Sequence, residues 1–141
     1  MTKEEILTLI KEAYEAQKKS YSPYSGFCVG AALLTEDNKV YRGCNIENAA
    51  YSPTNCAERT AFFKALSEGE RDFRAIAIVG NMKDAVPDIK EFVSPCGVCR
   101  QVMAEFCNPG EFKIILANRP DNYRVYTLME LLPLGFSLDT Q

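Results

Sequence analysis

Residues 73–80, "FRAIAIVG", form an apolar run interrupted only by Arg74. A run this short carries no polar residues at helical period and none at the alternate positions of a half-exposed strand. It therefore reads as a strand buried on both faces. Such a strand needs helices above and below its sheet, which places the chain among the layered α/β folds.

The flanking sequence supplies those helices. Thr2 and Glu5 make a T-x-x-E capping box, and Ile6, Leu9, Ile10, Ala13 and Tyr14 recur on one face, so the spacing predicts a helix over residues 3–19. "SPYSG" breaks it, and "FCVGAALLT" and "VYRGCNIE" follow as strands around the turn "EDNK". In "TNCAERTAFFKALSEGE", Ala57, Ala61, Phe62, Ala65 and Leu66 keep a helical period up to Gly69. A loop is expected from Asn81 through Pro87 to about Ser94. Ser94 as N-cap and Pro95 as first helical residue then predict a third helix over "PCGVCRQVMAEF", ending near Asn108-Pro109-Gly110. "KIILAN" and "YRVYT" are separated only by "RPDN", too short for a parallel crossover, so the last strand runs antiparallel to its predecessor. A short helical piece is expected over Leu128 to Leu132. The order α-β-β-α-β-α-β-β describes one domain over residues 1–141, a three-layer α-β-α fold with a mixed sheet of about five strands.

A chain of 141 residues buries roughly two-thirds of its unfolded surface, so it needs no staples to fold. The N-terminal "MTKEEILTLIKEAYEAQKKS" mixes charged with apolar residues and holds neither a signal-peptide run nor a membrane span. The expected setting is the cytoplasm, with no membrane partner. There the six cysteines read as thiols, metal ligands or catalytic groups rather than disulfides. A net charge of −3, with no basic run longer than Lys18-Lys19, argues against nucleic acid as a partner and for a small substrate or a protein.

Three cysteines fall at helix starts: Cys56 in the second helix, Cys96 and Cys99 in the third. Residues three apart share a helix face, so Cys96 and Cys99 can bind one metal ion together. Helix N-termini also favour the thiolate form. Taken alone, "CGVC" fits a redox motif as well as a metal site, and Asn55 with Glu58 fits an ordinary N-x-x-E helix cap. Together, Cys-Ala-Glu opening one helix and Pro-Cys-x-x-Cys opening the next make the zinc-deaminase pattern in its three-cysteine form. The absence of histidine is then no obstacle, since three thiolates leave one tetrahedral position for water.

From these motifs the chain resembles the small, homotetrameric cytidine deaminases. The blocks "SPYSGFCVGAALL", "NIENAAYSPTNCAERTA", "SPCGVCRQ" and "LLPLGF" carry the resemblance along nearly the whole chain. It implies one Zn²⁺ per chain on Cys56, Cys96 and Cys99, and hydrolytic deamination of cytidine and 2′-deoxycytidine to the uridines with release of ammonia. Glu58 would be the proton shuttle and not a ligand. By the same resemblance Arg59, helped by Gln101, hydrogen-bonds the thiolates and offsets their excess negative charge. The Ala57 N–H and the Ser94 carbonyl hold the base edges, Phe27 packs on the pyrimidine, and Asn45 and Glu47 bind the ribose, chiefly its 3′-hydroxyl. Phe136, and less directly Tyr51, reach a neighbouring subunit's site in a homotetramer.

Without the resemblance, Phe27 reads as core, Arg59 as surface, and Asn45 and Glu47 as a polar strand end. Cys28, Cys44 and Cys107 match no metal position and read as small buried hydrophobes, although Cys107 could close a four-ligand structural zinc shell. The nearest competing activity is an aminohydrolase of a modified cytosine nucleoside such as blasticidin S. A polynucleotide-editing deaminase would want a basic, aromatic-studded surface, which an acidic chain does not offer.

Overall fold

The computed structural model describes residues 1–138. In chain order its elements are α1 (Lys3–Gln17), β1 (Phe27–Thr35), β2 (Val40–Cys44), α2 (Ala57–Ser67), β3 (Phe73–Met82), α3 (Gly97–Phe106), β4 (Lys113–Arg119), β5 (Asn122–Thr127) and α4 (Leu128–Leu131). The strands make one sheet in the order β2-β1-β3-β4-β5. β1 runs antiparallel to β2 and to β3, β3 parallel to β4, and β5 antiparallel to β4. The expected mixed five-stranded sheet with an antiparallel last strand is the one observed. Its single parallel pair is the one whose connection contains a helix, α3, as a parallel crossover requires.

Side chains alternate across the central strands, and each face recruits its own helices. Ala32, Leu34, Ala75, Ala77 and Val79 meet Ile6, Leu9, Ile10 and Ala13 of α1. Ala31, Leu33, Ile76 and Ile78 point the other way, toward Ala61 and Phe62 of α2 and Met103 of α3. On that second face Phe62 packs edge-to-face on Phe73, with ring centroids 5.1 Å apart, and lies 6.0 Å from Phe112. The double burial read from "FRAIAIVG" follows from this division. Among the described residues no helix is long and apolar enough to cross a membrane.

Gly43 fixes where α2 sits. A Cβ there would run into the Ala57 carbonyl and the Ala61 amide, so the helix lies directly against the backbone of β2. The docking also sets the position of the start of α2, where Cys56 is the N-cap.

β3 runs past the expected strand to Met82, α2 stops at Ser67 short of Gly69, and three further boundaries also differ from expectation. α1 ends at Gln17 with Lys18 as its C-cap, where the backbone tightens to i−3 pairing (Lys19 amide on the Ala16 carbonyl, 3.1 Å; Ser20 amide on the Gln17 carbonyl, 3.0 Å) and the Gln17 side-chain amide donates across to the Cys28 carbonyl (2.9 Å) and Asn81 Oδ1 (2.7 Å). β2 stops at Cys44 because the Asn45 side chain takes over the pairing: Oδ1 accepts from the Val29 amide (3.0 Å) and Nδ2 donates to the Phe27 carbonyl (2.8 Å). The third helix starts at Gly97 with Cys96 as N-cap, not at Pro95 with Ser94 as cap. A residue before proline is biased toward extended backbone, and Cys96 stays extended as well (φ −68°, ψ 167°), while the Ser94 hydroxyl accepts from Arg100 instead. A second capping box, Thr127 with Glu130, starts α4.

Candidate active site

The starts of α2 and α3 meet. Cys56 and Cys96 are the two N-caps, both extended, and neither thiol caps its own helix, so both are free to point outward. Asn55 does not cap α2 either: its amide donates to Thr60 Oγ1 at 3.2 Å, and the N-x-x-E reading of Asn55 with Glu58 is not the one the chain uses. Cys96 Sγ lies 3.9 Å from Cys56 Sγ and 3.4 Å from Cys99 Sγ, and all three sulfurs fall within 4.8 Å of one another. Sulfurs bound tetrahedrally to one zinc at about 2.3 Å stand about 3.8 Å apart, so the trio fits that ion, and thiolate donors suit it chemically. No other such group of metal-binding side chains occurs among the described residues. Cys107 is buried outside the trio, and burial pushes its thiol up.

The charges around the trio are unequal. Cys56 is drawn down to about 5, first by the neighbouring Cys99 thiol and then by the Arg59 guanidinium, whose Nη2 lies 3.2 Å from its sulfur. Cys99, beside the ionised Cys56 and buried, is pushed up. Arg59 Nε is buried without a hydrogen-bond partner. Glu58, only 4% exposed, is raised to about 7, chiefly by burial and further by the Cys56 thiolate. A carboxyl poised near neutrality beside three metal-binding sulfurs has the protonation range a general acid and base needs.

Ala57 is fully buried in the first turn of α2, where backbone N–H groups lack helical acceptors. Ser94 is exposed on the segment leading to Cys96. Phe27 opens β1 beside Gly80, where an added Cβ would crowd both Val93 (2.8 Å) and the Phe27 ring (3.1 Å). Phe27 also borders a cleft of about 690 Å³ shared with Met82, Val86, Phe92 and Val93. Neither Glu58 nor any of the three cysteines lines that cleft, so the reactive groups lie outside it. Asn45 is tied to β1 as described, and Glu47 to the loop before β1: Oε1 accepts from the amides of Tyr24 (3.0 Å) and Ser25 (3.1 Å), and Oε2 accepts from Ser25 Oγ.

Other expected residues lie elsewhere. Gln101 does not reach a thiol in this structure. It sits two residues past Cys99, about 200° around the helix, and its amide donates to the Phe136 carbonyl at 3.1 Å. Tyr51 and Phe136 are 94% and 69% exposed. The sequence reading missed Ser20 and Ser25, whose hydroxyls hold Asn45 and Glu47. "SPYSG" reads as a helix breaker and as the head of a family block, and neither reading singles out Ser25 within it or Ser20 just before it.

Residues 3–114 match the model of the cytidine and deoxycytidylate deaminase zinc-binding region. The chain is 53% identical over 133 residues to a cytidine deaminase of Sporosarcina psychrophila, covering 94% of this chain and 92% of that protein. It is 54% identical over 131 residues to one of Halalkalibacterium halodurans, covering 93% of each. Among solved structures, the cytidine deaminase of Burkholderia pseudomallei superposes with a TM-score of 0.83 at 46% identity, over 96% of this chain and 100% of that one.

Proposed function

The chain belongs to the cytidine and deoxycytidylate deaminase family, and from that membership we propose that it hydrolyses cytidine and 2′-deoxycytidine to uridine and 2′-deoxyuridine, releasing ammonia, as a step of pyrimidine salvage. The observation that carries this reading is the buried Glu58 carboxyl, raised to about 7, two residues from one of three converging thiols.

Cys56, Cys96 and Cys99 would hold one Zn²⁺, which when bound supplies the Lewis acidity that ionises water near neutral pH. Arg59 offsets the negative charge of three thiolates through its contact with Cys56. Glu58 accepts the proton of the attacking water, delivers it to N3 of the cytosine ring as C4 is attacked, and carries a further proton to the departing amine. Water and cytidine thus give uridine and ammonia, with one carboxyl serving both halves. The Ala57 amide and the Ser94 carbonyl hold the base edge, Phe27 lies against the ring, and Asn45 and Glu47 take the ribose.

Six free thiols suit a reducing compartment, and we place the protein in the cytoplasm. The exposed Tyr51 and Phe136 suit a homotetramer in which Phe136 completes a neighbour's pocket.

Ammonia release from cytidine, 2′-deoxycytidine and blasticidin S, followed for wild type and Glu58→Gln, tests this. Wild type should turn over the first two, and the variant should lose about 10²- to 10⁴-fold in kcat, the usual worth of a positioned proton-transfer group. Turnover of blasticidin S alone, or a fully active variant, would refute the assignment.

A further inference from the structure

Glu47 is the expected sugar-binding carboxylate, yet its own chain already occupies most of it. An ionised carboxylate offers about four acceptor positions. Oε1 takes two donors, the amides of Tyr24 and Ser25, and Oε2 takes the Ser25 hydroxyl. Roughly one position remains, on Oε2. The Ser25 hydroxyl has a second link, since its oxygen accepts from the Phe27 amide at 3.0 Å. One side chain therefore ties the carboxylate to the strand that begins with the ring-packing phenylalanine.

The surrounding loop is laced in the same way. The Glu47 amide donates to the Tyr21 carbonyl (2.8 Å), the Tyr21 amide donates to the Asn45 carbonyl (3.0 Å), and Ser20 Oγ donates to Asn45 Oδ1 (2.5 Å). The Ser25 hydroxyl is also the first cause holding the Glu47 carboxyl below its ordinary range, so the group stays an acceptor. The Glu47 side chain is set before any ligand arrives, and little side-chain entropy is lost on binding.

We propose that Ser25 is the positioning residue for Glu47, fixing its carboxylate so that it reads a single sugar hydroxyl. The inference rests on the ribose reading of Glu47. With one free acceptor, Glu47 bonds a single hydroxyl, which the ribose reading makes the 3′-hydroxyl, and leaves the 2′-position unread. The pair of substrates that isolates it is 2′-deoxycytidine against 2′,3′-dideoxycytidine.

Kinetics of the zinc-loaded full chain on those two nucleosides test the proposal, with Ser25→Ala, Ser25→Thr and Glu47→Gln beside wild type. Ser25→Ala should shrink the kcat/KM advantage of 2′-deoxycytidine over 2′,3′-dideoxycytidine about tenfold, with the change in KM rather than kcat. Ser25→Thr, which keeps the hydroxyl, should restore it. An equal loss on both substrates in Ser25→Ala would mean that the residue only holds the loop, and would overturn the proposal. So would an unaltered ratio in Ser25→Ala while Glu47→Gln lowers it, which leaves the ribose reading standing. If Glu47→Gln itself leaves the ratio unaltered, the ribose reading fails and this inference falls with it.

Discussion

The Glu58 carboxyl carries opposite demands from chemistry and from folding. Its folded value of about 7 lies above the ordinary 4.5, so ionising it in the folded protein is unfavourable. The penalty is absent below pH 4.5, grows as pH rises toward 7 and is complete above that, at roughly 3 kcal/mol. Glu58→Gln removes the titration. After zinc is stripped with EDTA, urea midpoints should show the variant more stable than wild type at pH 8, by up to about 3 kcal/mol, and matched to it at pH 4. Matched midpoints at both pH values would mean that the carboxyl is solvated after all. The same residue shows what was legible beforehand. That Cys56, Glu58, Cys96 and Cys99 would come together could be read from residue type and spacing, because metal and proton chemistry admit few side chains. Ser25 and Gln101 could not, since their partners, Glu47 and the Phe136 carbonyl, are brought to them only by tertiary structure.

Among the elements, α2 matters most, because it carries Cys56 and Glu58 together and is seated by Gly43. Gly43→Ala would force the helix off β2, at about 1–3 kcal/mol by the usual cost of overpacking. Urea midpoints should fall by that amount and the zinc content per chain should drop with it. An unchanged midpoint with one zinc per chain would show that the contact yields without strain. Elements and their order were legible in the sequence because apolar periods were clean. Boundaries were less so where a side chain stood in for backbone, as Asn45 does beside the start of β1, or where the helix began without a side-chain cap, as α3 does at Cys96, two residues past the conventional choice Ser94.

On the scale of the whole molecule, the exposed residues 134–138 are the feature that one chain leaves without a role among the described residues. Leu134 and Leu138 are exposed beside Phe136. If Phe136 completes a neighbour's pocket, two inactive proteins should rescue each other. Glu58→Gln chains, unfolded and refolded together with Phe136→Ala chains, should regain a fraction of wild-type turnover, because some mixed sites combine an intact Glu58 with an intact Phe136. Sedimentation should give four times the 15.8 kDa chain mass for each protein. Absence of rescue in a mixed tetramer would confine Phe136 to its own subunit.

The metal-binding sulfurs have a mechanical consequence as well. Cys56 and Cys96 are 40 positions apart along the chain, with α2, β3 and the loop after it between them, yet their sulfurs are 3.9 Å apart. An ion gripping both is a clasp on that long loop, and its binding free energy adds to the folding free energy. Scarcity of zinc would then do more than silence the enzyme: the two helix starts would be the first part to loosen, and protease sensitivity between them would report the cell's metal supply.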